Sequence, residues 1–290
     1  MQRETISNAG SAQIVVQALP YIKQFRDKTI VVKYGGNAMI NNELKAAVID
    51  DILLMFNAGI RIVLVHGGGP EIDAMLKKTG KESRFVKGLR YTDNETMEIV
   101  QMVLCGKVNK DITGLIGQAG GRAVGLCGID GTMLKAVFEN SADLGFVGNI
   151  TEVDISVLNT VLNMPAIPVV SSVAFGIGDA EGYAMNVNAD TAAAKIAAAL
   201  GAEKLVLMTD VPGILRNVND PGSLVRTATL PELEEMKKQG ILSKGMIPKA
   251  DCCIMALSGG VKKAHIIDGR VTHALLMELF TGEGIGTMIQ

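Results

Sequence analysis

Two short strands that break into glycine constrain this chain more than any other feature. Residues 29–34 read Thr-Ile-Val-Val-Lys-Tyr and lead into Gly35 and Gly36; residues 61–66 read Arg-Ile-Val-Leu-Val-His and lead into Gly67, Gly68, Gly69 and Pro70. Short β-branched and apolar runs of this kind suit strands buried on both faces, as in a parallel sheet. About thirty residues separate the two runs, which leaves room for one crossover helix, so a β–α–β unit is expected. In open parallel sheets ligands lie beyond the carboxyl ends of the strands, where both glycine turns fall. Glycine there lets backbone N–H groups approach an anion, and a helix opened by Pro70 adds the positive end of its dipole. Lys33 would point its ammonium to the same place. Lys-x-Gly-Gly alone also fits a structural turn with a solvated lysine, but the two turns together read as a phosphate cradle. Neither has the Gly-Lys-Ser/Thr ending of a P-loop or the spaced glycines of a dinucleotide site.

Such a sheet needs helical cover. The chain is 48% hydrophobic and only 4% aromatic, which suits Ala- and Leu-rich helices over a sheet rather than a β-sandwich. Its 290 residues allow one large α/β unit or two lobes. A net charge of −2 offers no footprint for nucleic acid or an anionic membrane. Cys105, Cys127, Cys252 and Cys253 lack zinc-type spacing and read as reduced thiols. With no signal-peptide core and no stretch near the roughly 18 apolar residues of a membrane span, a cytoplasmic protein is expected.

Residues 11–26 place Ile14, Val15, Ala18, Leu19, Tyr21, Ile22 and Phe25 near helical spacing, with Pro20 set to bend the helix. The stripe of this arm must find cover on its own domain or on another subunit. Asn41 or Asn42 caps the next helix, and Asp93 caps a long helix from Met97 to about Ile116. Just before it, Arg90 is either a solvated charge or a two-pronged clamp for a carboxylate. Residues 132–151 are turn-rich, and 145–150 read as hairpin material for a lid or rim. The glycine-rich connection 176–182 marks a lobe boundary. Asn186, Asn188 and Asp190 alternate, so an extended segment would put them on one face; Asp190 also reads as a helix N-cap. Pro248 suits a first helical turn, which puts Lys249 where the dipole disfavours a cation and points to a bound anion. His66, His265 and His273 suggest neither a metal cluster nor a base, and His265 reads as a satisfied strand residue.

Five segments together resemble the amino acid kinase family: Val-Lys-Tyr-Gly-Gly-Asn-Ala-Met at 32–39, Val-His-Gly-Gly-Gly-Pro at 65–70, Gly-Leu-Arg-Tyr-Thr-Asp at 88–93, Asn-Val-Asn-Ala-Asp at 186–190 and Gly-Met-Ile-Pro-Lys at 245–249. They stand in the family's order over nearly the whole chain. Within the family the resemblance is to the branch that phosphorylates N-acetyl-L-glutamate in arginine biosynthesis. It implies a three-layer αβα sandwich on a central, largely parallel sheet. It also implies a helical arm over 1–27, an N-terminal lobe over 28–182 for acceptor binding and dimerisation, and a C-terminal lobe over 183–290 for ATP.

The implied reaction carries the γ-phosphoryl of ATP to the acceptor's side-chain carboxylate. Lys33 and Lys249 would flank the phosphoryl and Asp190 orient them. Gly35, Gly36, Gly67, Gly68 and Gly69 would hold phosphoryl oxygens; Gly68, Gly69, Arg90 and Asn186 the acceptor; Thr209, Asp210, Gly213 and Lys249 the nucleotide. Mg2+ would ride on phosphates and water, without a protein ligand. Glutamate 5-kinase is the enzymatic alternative and a non-catalytic sensor of the same fold the other; the complete Lys33–Asp190–Lys249 set speaks against the sensor. Arginine-inhibited members have a bent N-terminal helix that interlaces dimers into a hexameric ring, a trimer of dimers. By that resemblance L-arginine is a feedback inhibitor, with Tyr21, Lys204, His265, Glu278 and Gly284 as its contacts.

Overall fold

Thr29–Tyr34 and Arg61–His66 lie side by side and parallel, with Lys33 opposite Val65 and Tyr34 opposite His66. The computed structural model describes residues 8–139, 143–243 and 245–290. These two strands sit in the middle of an eight-stranded sheet. Its order is Thr227–Ala228, Thr287–Ile289, Lys263–Asp268, Lys204–Thr209, Thr29–Tyr34, Arg61–His66, Ile167–Ser171 and Ala123–Cys127. The last six run parallel, and only Thr287–Ile289 with its edge partner reverses the direction. As expected, the helix Asn42–Asn57 makes the first crossover, and Asn41 caps it by accepting from the N–H groups of Glu43 and Leu44.

Side chains alternate across the pleat and so build two cores. Val31, Val63, Val65, Leu205 and Leu207 pack with the helices Ala189–Ala199 and Ile247–Ser258. Ile30, Val32, Ile62, Leu64 and Met208 pack on the other face with Asn42–Asn57 and the helices over 94–118. The sandwich therefore has three layers, αβα. Each fully buried Val, Ile or Leu contributes about 1.5–3 kcal/mol of transfer free energy, so the middle strands are held from both sides.

The helix begun by Asp93, whose carboxylate accepts from Thr96 N–H, is not α-helical throughout. Asn94–Gln101 and Asn109–Gln118 are α-helical, and Met102–Val108 between them is a π-helix. The wider turn takes up a residue, so that Val100 before it, Val103 and Leu104 within it, and Ile112 and Ile116 after it all stay buried.

A second sheet of Ala184–Asn186, Val173–Gly176, Leu134–Phe138 and Gly148–Val153 covers one side of the glycine turns. Leu134–Phe138 and Gly148–Val153 form the expected hairpin. The connection 176–182 joins two strands that pair antiparallel. Residues 83–93 contain a small hairpin, Phe85–Val86 with Leu89–Arg90, turned by Lys87 and Gly88 at φ 50° and 83°. The N-terminal helix Asn8–Phe25 continues through Pro20; Tyr21 and Phe25 meet the ring of Phe280 edge-on, whereas Val16 and Leu19 are exposed. The arm's first seven residues lie outside the described ones.

Candidate active site

Lys33 leaves the end of its strand and folds back over the turn: a Cβ on Gly35 would lie 2.7 Å from its Nζ. The ammonium is 3.0 Å from Asp190 Oδ1, and Lys249 Nζ is 2.8 Å from Asp190 Oδ2. Two lysines from distant parts of the chain thus share one buried carboxylate. Burial pushes the Asp190 carboxyl up, but Lys33 and then Lys249 outweigh it and hold it at about 2. Asp190 is not the helix N-cap. Asn188 takes that place, accepting from the N–H groups of Asp190 and Thr191, because the strand ends at Asn186 and the helix starts at Ala189. The Asn186, Asn188 and Asp190 side chains therefore do not share one face of an extended segment. Lys249, unfavourably placed in the first turn of its own helix, has in Asp190 an anion supplied by the chain itself.

Both glycine turns are too tight for side chains. At Gly36 (φ 70°) a Cβ would be 2.6 Å from Asp210 Oδ1, and at Gly68 one would be 2.7 Å from Leu104 Cδ2. They border a cavity of about 220 Å³ lined by Lys33, Gly35, Gly36, Gly67, Gly68 and Gly69, and further out by Arg90 and Asn186.

Arg90 is buried, so the solvated alternative falls away. Its Nη1 donates to Asp73 Oδ1 (2.6 Å) and to Ser83 Oγ (2.8 Å), its Nη2 is 3.4 Å from Gly69 O, and the guanidinium stacks over Phe85. One nitrogen is anchored and the other lies beside the cavity. Asn186 Nδ2 donates to Thr92 Oγ1 (3.0 Å), whose hydroxyl donates to Arg90 O (2.8 Å), so the acceptor-side pair is linked through Thr92. The hairpin end closes over them: Phe146 N–H donates to Thr92 O, Asn186 N–H to Phe146 O, and Val147 lines the cavity.

Thr209, Asp210 and Gly213 lie off this cavity, past the end of the neighbouring strand. The Thr209 hydroxyl accepts from Val211 N–H and lies 3.0 and 3.1 Å from the carbonyls of Val211 and Ile267, so it fixes its own turn. Gly213 borders a separate apolar recess of about 40 Å³ with Val211, Val218, Leu242 and Met246. Among the described residues no group of three His, Cys, Asp or Glu side chains could hold a metal ion.

Residues 28–268 match the model of the amino acid kinase family. The chain belongs to that family. The acetylglutamate kinase of Clostridium beijerinckii is 53% identical over 285 residues, covering 98% of this chain and 99% of that one. The acetylglutamate kinase of Thermoanaerobacter pseudethanolicus is 54% identical over 281 residues, 97% of this chain and 93% of that one. Identity of this order over nearly full length puts this amino acid kinase in the acetylglutamate kinase branch. Among solved structures, N-acetylglutamate synthase from Neisseria gonorrhoeae superposes with a TM-score of 0.83 in its complex with coenzyme A and N-acetyl-glutamate, at 28% identity. Its complex with coenzyme A and L-arginine gives 0.79 at 27%. Each match covers 96% of this kinase but only 63% and 65% of the synthase chain.

Tyr21, Lys204, His265, Glu278 and Gly284 come together in this kinase around another cavity, of about 250 Å³. Lys204 Nζ is 2.9 Å from His265 Nε2, and His265 Nδ1 is 2.7 Å from Glu278 Oε1, so a cation, an imidazole and an anion stand in line. Glu278 Oε2 also accepts from the N–H groups of Ile285 and Gly286. Burial and the neighbouring Lys263 bring the Lys204 ammonium down to about 8. His265 is a buried strand residue, as expected. Sequence reasoning missed Asp73, Ser83 and Phe85 around Arg90 and the Thr92 link, because only the folding of 69–93 onto itself brings them together. No short spacing signals them.

Proposed function

We propose that the chain transfers the γ-phosphoryl group of ATP to the side-chain carboxylate of N-acetyl-L-glutamate, giving N-acetylglutamyl 5-phosphate and ADP in arginine biosynthesis. The observation that carries this reading is one cavity with Lys33 and two glycine turns at its inner end, Arg90 and Asn186 at its outer end, and Asp190 tying Lys33 to Lys249. The nucleophile is already ionised, so the residues need to position it and neutralise charge rather than abstract a proton. Arg90 and Asn186 hold the acceptor's α-carboxylate and amide end, which aims its side-chain carboxylate at the glycine turns. There an oxygen–phosphorus bond forms as the bond to the leaving ADP oxygen breaks. Lys33 and Lys249 offset the charge spread over attacking, transferring and leaving oxygens, and Asp190 keeps the two ammonium groups from drifting apart. Asp210 and the recess at Gly213 border the nucleotide from the 183–290 half, while the acceptor residues other than Asn186 come from 28–182. Magnesium, which supplies charge neutralisation between phosphates, would be carried by the nucleotide and water. The free thiols suit a reducing, cytoplasmic setting. A coupled assay with Mg-ATP and N-acetylglutamate, glutamate or aspartate tests the reading. Turnover of N-acetylglutamate at least tenfold above the other two is expected, and preference for free glutamate would replace it with glutamate 5-kinase.

A second reading concerns the cavity at Tyr21. Its anions, Glu278 and Glu283, face its cations, Lys204, Lys263 and Arg226. That pairing suits an amino acid with a cationic side chain, and L-arginine as feedback inhibitor is the proposal, acting within a hexamer built as a trimer of dimers. The solved synthase complex with L-arginine supports it by likeness alone.

A further inference from the structure

His66 is the last residue of its strand and is completely buried, yet both ring nitrogens are engaged. Nδ1 is 2.8 Å from Gly67 O and Nε2 is 3.1 Å from Asn109 Nδ2. An amide nitrogen can only donate, so Nε2 accepts, and the ring proton sits on Nδ1, which donates to Gly67 O. Burial, reinforced by the nearby Lys110 charge and only partly opposed by the bond to Gly67, lowers the imidazole to about 4, so it keeps this neutral tautomer at neutral pH.

The bond to Gly67 O sets the direction of the next N–H. A trans peptide is planar, and its carbonyl oxygen and amide hydrogen point opposite ways. With the oxygen of Gly67 drawn back toward the ring, the N–H of Gly68 projects to the other side of the turn, where the cavity lies. Among the described residues no backbone carbonyl meets that N–H. The opposite wall is fixed as well, since Leu104 leaves no room for a Cβ on Gly68. Asn109 is itself buried and anchored: one Nδ2 hydrogen goes to Val169 O (2.8 Å), and the other is shared between Leu126 O (3.2 Å) and His66 Nε2. Leu104 lies within the π-helix and Asn109 is the first residue after it, so this one irregular turn presents both supports to the glycine loop.

We propose that His66, oriented by Asn109, is a positioning residue that fixes the Gly67–Gly68 peptide so that the Gly68 N–H donates to the transferring phosphoryl group. The proposal rests on the phosphoryl-transfer reading above and adds the residues that aim its backbone donor. A histidine that merely fills the end of the sheet would, when removed, weaken folding or affect ground and transition states alike.

His66→Leu separates the two roles, because Asn109 keeps both carbonyl partners while Gly67 O loses its donor. In the N-acetylglutamate assay kcat should fall roughly tenfold to a hundredfold, with KM for both substrates within about threefold of wild type. His66→Gln, which retains an N–H donor, should recover part of the loss. Mg-ADP with aluminium fluoride should bind His66→Leu at least about tenfold more weakly, with the affinity for Mg-ADP alone unchanged. If His66→Leu does not fold, Asn109→Ala frees Nε2 to take the proton and should lower kcat in the same selective way. A folded variant with wild-type kcat, or equal weakening toward both nucleotide states, overturns the proposal. If wild type fails to phosphorylate N-acetylglutamate, the acceptor reading falls, and the comparison of the two nucleotide states still decides the role of His66.

Discussion

Asp190 shares one carboxylate between two lysines, and among the described residues neither lysine has another ion-pair partner. Taking away either ammonium leaves the other held but removes charge stabilisation where charge spreads during transfer. Lys33→Ala and Lys249→Ala should each lower kcat by about two to three decades, the roughly 2.7–4 kcal/mol of a lost preorganised donor, with small changes in KM. Steady-state kinetics with both substrates varied decides this, and near-normal kcat in either variant removes that lysine from the mechanism. Arg90 poses a different question. Its planar fork is anchored on Asp73 and Ser83 through Nη1 while Nη2 stays beside Gly69, a division of labour that a lysine's single point charge cannot reproduce. Arg90→Lys should raise KM for N-acetylglutamate by at least about tenfold and leave KM for ATP nearly unchanged. Equal impairment toward both would mean a defect in folding or closure.

Helices are tied together by one buried contact that no site uses. Asp51, fully buried in Asn42–Asn57, has Oδ1 2.6 Å from Nδ1 of His273, the left-handed residue (φ 58°) that opens Ala274–Leu279, and its carboxylate faces the backbone N–H groups of Leu275 and Leu276 in that helix's first turn. Burial raises the carboxyl to about 6 from 3.8, against the hydrogen bond and charge of His273. Between these values the native state binds more protons than the unfolded chain, so the stability this group contributes is complete below 3.8 and lost as pH rises through 6. Asp51→Asn should therefore gain on wild type by on the order of 2–3 kcal/mol between pH 4 and pH 7, read from urea midpoints at each pH. A gap that stays constant with pH would rule Asp51 out as its source. At this scale the sequence was readable where signals are local. β-branched runs ending in glycine marked Thr29–Tyr34 and Arg61–His66, and Asn41 and Asp93 announced their helices. Three things were not legible, because tertiary packing decides them: the π turn at Met102–Val108, the passing of the N-cap from Asp190 to Asn188, and the hairpin that buries Arg90.

Across the whole molecule, the N-terminal helix divides its apolar stripe. Tyr21 and Phe25 are spent on Phe280, which follows the helix bearing Glu278, and Lys204 lies over the ring of Phe25. The arm is thus joined to the cavity proposed for arginine. Val16 and Leu19, 59% and 45% exposed, find no cover among the described residues. A second copy of this helix is the natural cover, since an isologous contact buries the same residues from both sides. Effector and assembly would then be linked: arginine bound beside Tyr21 favours a helix orientation that the ring also selects, which requires it to bind that state better than the active one. The double substitution Val16→Glu and Leu19→Glu tests this without disturbing Tyr21, Phe25 or the catalytic cavity. On the proposed assembly, light scattering should show a hexamer for wild type and dimers for the variant, with activity in the absence of arginine within about twofold of wild type and any inhibition by arginine weakened at least about tenfold. A variant that remains hexameric places the ring contact elsewhere, and one that dissociates yet keeps full arginine sensitivity shows that the cavity signals within the subunit and not through the ring.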